Sequence, residues 1–251
     1  MADPDGEPVP WWRQQKELSI ARKAKAAIRP ACAKPGDAFL IVTEGTVTEP
    51  VYFRLLRNGL KLPAVSVVVH PGADSHPRHV IATAVDILKD HGRRARKGLL
   101  GMNEPAKFDQ VWAVIDTDVL VRHGVWNEIE QLATARNVRL AHSTPCFEYW
   151  LLLHITEFTT RPIVDGTAAK ATVKATFGRD YSTNEDTAKT VMPEFLQGWP
   201  KAVKSAERVR EYHFDAGNRV PANPSTEVDR LVCAMNDSAP EHARLIPCSH
   251  E

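Results

Sequence analysis

The sequence predicts an α/β fold: a mostly parallel sheet flanked by helices, followed by a helix-rich C-terminal portion. Three observations carry this. Apolar runs at 38–44, 64–70 and 110–116 lack polar alternation, as strands covered on both faces do. Helical patterns fall between them, so strand and helix alternate from 38 to about 155, which is the signature of parallel βαβ units. From about 165 to 238 the pattern is helical.

The elements follow in order. AFLIVTE (38–44) is a first buried strand. Thr48 or Glu49, then Pro50, then VYFRLLRN starts a helix with proline in its first turn. AVSVVVH (64–70) is a valine-rich second strand. Residues 77 to about 91 carry an apolar stripe at 80, 81, 84, 85, 87 and 88, a helix. QVWAVID (110–116) is a third strand ending in an acid. Residues 126–136 are helical, VRLAHS (138–143) is a fourth strand, and FEYWLLLH (147–154) reads as a buried helix. Further helices fall near 185–197, 200–213 and 225–236. Ser143 and Thr144, just after a strand, suit a helix N-cap, and Asn223-Pro224-Ser225-Thr226 reads as a turn plus N-cap. The expected organisation is an arm (1–36), an α/β core (37–160), a helical portion packed on it (161–240) and a tail (241–251).

Composition sets the outer bounds. The 251 residues carry 32 Lys+Arg against 31 Asp+Glu, with 43% hydrophobic and 25% charged residues. These are values of a folded globular chain, and they exclude a uniformly basic nucleic-acid coat. Charge is nonetheless uneven. Residues 13–34 hold seven Lys/Arg, among them Arg22, Lys23 and Lys25, against Glu17. Residues 89–97 hold five, among them Arg93, Arg94, Arg96 and Lys97, against Asp90. Both stretches are candidates for holding a phosphate backbone; the first reads equally well as a solvated arm. The four cysteines include no CxxC pair, which argues against a zinc knuckle. With no secretory leader and no apolar run able to span a bilayer, a soluble cytoplasmic protein with reduced thiols is expected.

The candidate chemistry is acidic. In open α/β sheets, ligands gather at the carboxyl ends of strands. The first strand runs into Glu44-Gly45 and the third into Asp116-Thr117-Asp118. If those strands are neighbours, Glu44, Asp116 and Asp118 converge. Clustered carboxylates repel, and a hard cation neutralises them, so an oxygen-only set points to Mg²⁺ or Mn²⁺.

EGTVTEPVYF (44–53), IDTD (115–118), STPCFEYWLLLH (143–154) and NPSTEVDRLV (223–232), in that order, resemble the RloB family. That family is similar to the Toprim-type nucleases of the OLD and abortive-infection defence systems. The resemblance implies a Toprim/Rossmann-like sheet and metal-dependent phosphodiester cleavage of DNA, tRNA or other RNA. It implies Glu44 as metal ligand or general acid/base, and Asp116 and Asp118 as metal ligands. Glu49 and Glu148 are further acids that complete the coordination. For Glu49 a favourable charge at a helix start is the competing explanation, and for Glu148 a buried helix-capping acid. Where the resemblance leads one to expect a basic residue soon after Tyr181, the chain has Ser182-Thr183; Lys170, Lys174, Arg179 and Lys189 are substitutes. The resemblance also implies an SMC-like or AAA-type ATPase partner encoded nearby, since the chain has no GxxxxGK[ST] phosphate loop of its own; a homo-oligomer is left open. Two alternatives stand beside the nuclease: a non-catalytic Toprim-fold binding subunit of an ATPase defence complex, and a haloacid-dehalogenase-type phosphatase using Asp116 as nucleophile, which Leu120 and the downstream order fit poorly.

Overall fold

The computed structural model describes residues 36–64, 67–71, 76–156, 160–182 and 184–245. The N-terminal basic stretch with Arg22, Lys23 and Lys25 lies outside them, as do Cys32 and Cys248. The fold is α/β. Strands β1 (Phe39–Thr43), β2 (Val67–Pro71), β3 (Gln110–Asp116), β4 (Arg139–Thr144) and β5 (Ser225–Thr226) form one sheet of order β2-β1-β3-β4-β5. The first four are parallel and β5 pairs antiparallel with β4.

The unbroken apolar runs sort cleanly onto two faces, because successive side chains of a strand point to opposite sides. Phe39, Ile41, Trp112 and Val114 enter one core, and Leu40, Val42, Val111, Ala113 and Ile115 the other. Helix α1 (Thr48–Gly59) covers the first face with Tyr52, Phe53 and Leu56. Helix α2 (Pro77–Arg96) covers the second with Val80, Ile81 and Ala84, helped by α4 (Trp126–Ala135). Helix α2 runs to Arg96, five residues beyond the expected end at about 91. Its last turn holds Arg93, Arg94 and Arg96, where cations favour the helix dipole.

The helical portion shares the first core. Helices α5 (Glu148–Ile155), α6 (Gly166–Phe177), α7 (Glu185–Gln197), α8 (Trp199–Asp215) and α9 (Val228–Ser238) contribute Trp150, Val173, Phe195, Trp199 and Leu231 to the cluster around Trp112. A five-residue helix, α3 (Asp118–Arg122), and α6 are additions to the sequence reading. The expected caps are corrected. Ser143 and Thr144 end β4 rather than cap a helix; their hydroxyls meet those of Thr226 at 2.8 Å and Thr117 at 2.5 Å. Ser225–Thr226 form the edge strand, so α9 starts at Val228, not near 225. Asn223 holds both backbone groups of Ile163, at 3.1 and 2.7 Å, and so ties the loop before α6 to this edge.

Gly198, between α7 and α8, lies against the end of α5: an added Cβ would fall 2.3 Å from the His154 carbonyl oxygen. Backbone cannot yield there as a side-chain tip can. Gly198→Ala is expected to lower unfolding stability by about 1–3 kcal/mol, the usual cost of overpacking. Chemical denaturation checks this; an unchanged midpoint would contradict the packing described.

Candidate metal and active site

The topology makes the crevice before the site is considered. From β1 the chain crosses by α1 to β2 on one side, then by α2 to β3 on the other. The strand order therefore reverses between β1 and β3, the place where α/β sheets open a binding crevice at their carboxyl ends. Thr43 stands opposite Val114, so Glu44 follows β1 directly onto that edge and Asp116 ends β3 beside it.

Three carboxylates are each pinned by one backbone amide. Asp116 N–H donates to Glu44 Oε2 at 3.0 Å. Gly45 N–H donates to Glu49 Oε1 at 3.0 Å. Phe147 N–H, at the start of α5, donates to Asp116 Oδ1 at 2.9 Å. Glu49 reaches back over its own turn because position 45 is glycine: a Cβ there would sit 2.1 Å from Glu49 Oε2. Glu148 opens α5 and is 5% exposed.

The acids are electrostatically frustrated. Burial pushes the Glu49 pKa up to about 7, and Glu148 adds to the rise. Burial, then Glu49, Glu44 and Glu148, hold the Asp116 carboxyl well above the usual carboxylate range. Each of these neighbours disfavours ionisation, as like charges in a poorly solvated recess must. Lys170 of α6 is the cation facing the group. Glu148, with Cys146, Asp116 and Glu49 behind it, raises its pKa against the effect of burial. The Cys146 thiol, raised by burial and by Glu148 and Asp116, stays protonated. Tyr181 is treated likewise by burial and Glu148.

The sequence-derived candidates divide accordingly. Glu44, Glu49, Asp116 and Glu148 come together. Asp118 opens α3, where Oδ1 accepts from Val119 N–H at 2.6 Å and Oδ2 lies 3.3 Å from the Arg122 guanidinium. Of the four substitute cations, Lys170 acts on the acids, whereas Lys174 pairs with Asp180, Arg179 with Glu194 and Lys189 with Glu185. Arg93, Arg94, Arg96 and Lys97 are at the opposite edge. Helix α2 runs back from the carboxyl end, and its last turn meets the loop entering β3, with Arg94 bound to Glu104 and His91 to the Pro105 carbonyl. Cys146 and Tyr181 were not singled out as site residues from the sequence; Cys146 adjoins Glu148 in the CFEYW stretch, and Tyr181 lies 33 residues beyond Glu148, so only the fold brings it near.

The donor set suits a hard divalent cation: carboxylate oxygens predominate, and their mutual repulsion is what such an ion would relieve. Among the described residues no group of three His, Cys, Asp or Glu side chains forms a ready-made metal cage. The acids are gathered in charge rather than closed into a coordination shell.

Such a fold and crevice define an α/β protein with a carboxylate cluster at the switch point of a parallel sheet. The chain belongs to the RloB-like protein family, whose family model matches residues 39–235, from β1 into α9. No curated protein and no solved structure matches it. Among the described residues no helix is long and apolar enough to cross a membrane.

The Glu49 shift has a definite sign. Its folded pKa of about 7 exceeds the ordinary 4.5, so the folded state binds the proton more tightly. Stability is lost as pH rises from 4.5 to 7, and the penalty is complete above 7. Without metal, Glu49→Gln is expected to unfold at a higher temperature than the parent at pH 8 and at nearly the same temperature at pH 4.5. The ceiling on the gain is on the order of 3 kcal/mol, from the size of the shift. Thermal unfolding in EDTA at both pH values checks it; a variant equally or less stable at pH 8 would contradict the assigned repulsion.

Proposed function

We propose that this RloB-like protein is a Mg²⁺- or Mn²⁺-dependent nuclease. It cuts phosphodiester bonds in DNA, tRNA or other RNA as the effector of a bacterial anti-phage abortive-infection system, under the control of a separate ATPase. The observation that carries the reading is the cluster of Glu44, Glu49, Asp116 and Glu148 at the switch-point crevice, where burial and neighbouring acids raise the pKa values of Glu49 and Asp116. These four residues would hold the ion. When bound, a divalent ion supplies a water of lowered pKa and offsets charge on the leaving oxygen.

The protein's own groups provide position. The amides of Gly45, Asp116 and Phe147 fix one oxygen each of Glu49, Glu44 and Asp116, so three carboxylates keep their places without reorganising during turnover. Lys170 brings positive charge to the cluster. The defence role and the ATPase partner rest on the resemblance of the four motifs to the OLD and abortive-infection nucleases.

A second reading is favoured by Asp118, whose carboxylate is occupied by Val119 N–H and Arg122. With that acid spent, the chain would be a non-catalytic binding subunit of an ATPase complex. Labelled plasmid DNA and total tRNA, incubated with Mg²⁺ or Mn²⁺, with and without an ATPase encoded beside this chain, separate the two readings. The nuclease reading expects cleavage by the parent. Asp116→Asn should lose more than about a hundredfold, beyond the cost of an outer-shell contact, and Asp118→Ala should lose less. No cleavage by the parent in any combination would favour the binding subunit.

A further inference from the structure

The connection from α2 to β3 is tied down and yet carries large apolar side chains into solvent. Leu99 is 61% exposed and Met102 is wholly exposed, and neither enters either core. The backbone around them is clasped. The Arg94 guanidinium donates to both carboxylate oxygens of Glu104, at 2.6 and 2.5 Å, and to the Leu99 carbonyl at 3.2 Å. Leu99 N–H donates to the Arg94 carbonyl at 2.9 Å, and Gly101 N–H to Glu104 Oε2 at 2.7 Å. Buried His91 meets the Pro105 carbonyl at 2.9 Å and packs on the Phe108 ring. Ordering such a connection costs conformational entropy. Side chains held ready in this way bind a partner with less entropy left to lose.

The charge beside them is not neutralised. The acids of residues 90–109 are all committed: Asp90 to Arg93, Glu104 to Arg94 and Asp109 to Lys107. Arg96, in the last turn of α2, and Lys97, at its cap, are exposed and have no ion pair among the described residues. Two apolar side chains thus stand next in the chain to two uncompensated cations. A nucleic-acid backbone would take up the cations but leave Leu99 and Met102 in water. A two-fold contact with a second copy would bring Arg96 and Lys97 towards their own counterparts. A different protein, offering an apolar recess bordered by carboxylates, matches both features.

We infer that residues 96–104 are a docking surface for a partner protein with such an acid-bordered apolar recess. Helix α2 runs back from the carboxyl edge of the sheet, so the surface lies away from the acid crevice and its occupant leaves the crevice open to substrate. The inference rests on the proposed function for the identity of the partner, the separate ATPase, and assigns its seat.

The full chain, titrated with the ATPase encoded beside it in a calorimeter, tests the surface. The parent is expected to bind, more weakly as salt is raised. Leu99→Ser/Met102→Ser and Arg96→Glu/Lys97→Glu are each expected to bind about tenfold more weakly or worse, as loss of a central contact does, and to unfold at the parent's temperature. The lack of an ATPase that binds the parent overturns the surface, and so does an apolar double variant that binds as tightly as the parent. An apolar double variant that unfolds several degrees lower assigns those side chains to the fold and overturns it too. If charge reversal weakens binding of labelled tRNA or plasmid DNA while the apolar variant keeps the ATPase, the surface belongs to nucleic acid instead. A parent that binds the ATPase through these residues yet cuts no nucleic acid removes the nuclease reading and leaves the surface standing. One that cuts but binds no ATPase does the reverse.

Discussion

Like charges gathered in one recess must be held there by something other than one another. Here the holding is done by three backbone amides. Asp116 N–H grips Glu44, Gly45 N–H grips Glu49, and Phe147 N–H grips Asp116. Each bond joins a different pair of segments, namely β1 with β3, the β1–α1 turn with α1, and β3 with the start of α5. Charge-assisted bonds of this kind are among the stronger ones available. They offset a repulsion that nonetheless remains, as the raised pKa values of Glu49 and Asp116 record. The rest of the structure serves to bring those amides and acids together.

Topology does most of that work. The reversal of strand order between β1 and β3 opens the crevice, and both strands are buried on both faces, so their ends have little freedom. The helical portion closes the far side by sharing the first core through Phe195 and Trp199, which positions α6 and the segment after it against Glu148. The antiparallel edge strand β5 anchors that portion, with the half-buried Arg210 paired to the buried Asp229, at 2.6 Å for both bonds, holding α8 to α9. The exposed basic turn at 93–97 occupies the other edge of the sheet, so any phosphate it contacts is remote from the acids. Among the described residues, Lys170 of α6 is a cation that acts on them.

What was legible in the sequence depended on how local the cause was. AFLIVTE and QVWAVID announce doubly buried strands because every residue is apolar, and their terminal acids mark the carboxyl edge directly. Glu49 was marked only by the resemblance of EGTVTEPVYF to the family motif; its place at a helix start by itself suggested a favourable charge there. Asp118 lies two residues past Asp116, and such a spacing places residues on one side only while the strand continues. Here the strand stops at Asp116 and a helix begins at Asp118, so its carboxylate serves that helix and Arg122. Ser225–Thr226 read as a cap because their partner, β4, is 82 residues earlier at Ser143–Thr144. Tyr181 gives no local signal, because it lies 33 residues beyond Glu148 and only the fold brings the two near each other.

The central claim, that these acids together form a divalent-cation site, is most directly tested by titrating the metal-free protein with Mn²⁺ and following free Mn²⁺ by electron paramagnetic resonance at pH 6 and pH 8. The expected result is saturable binding by the parent, tighter at pH 8 because the ion competes with protons on Glu49 and Asp116, and lost in Glu44→Gln/Asp116→Asn. Binding that is absent in the parent, or unchanged in the double variant, would contradict it.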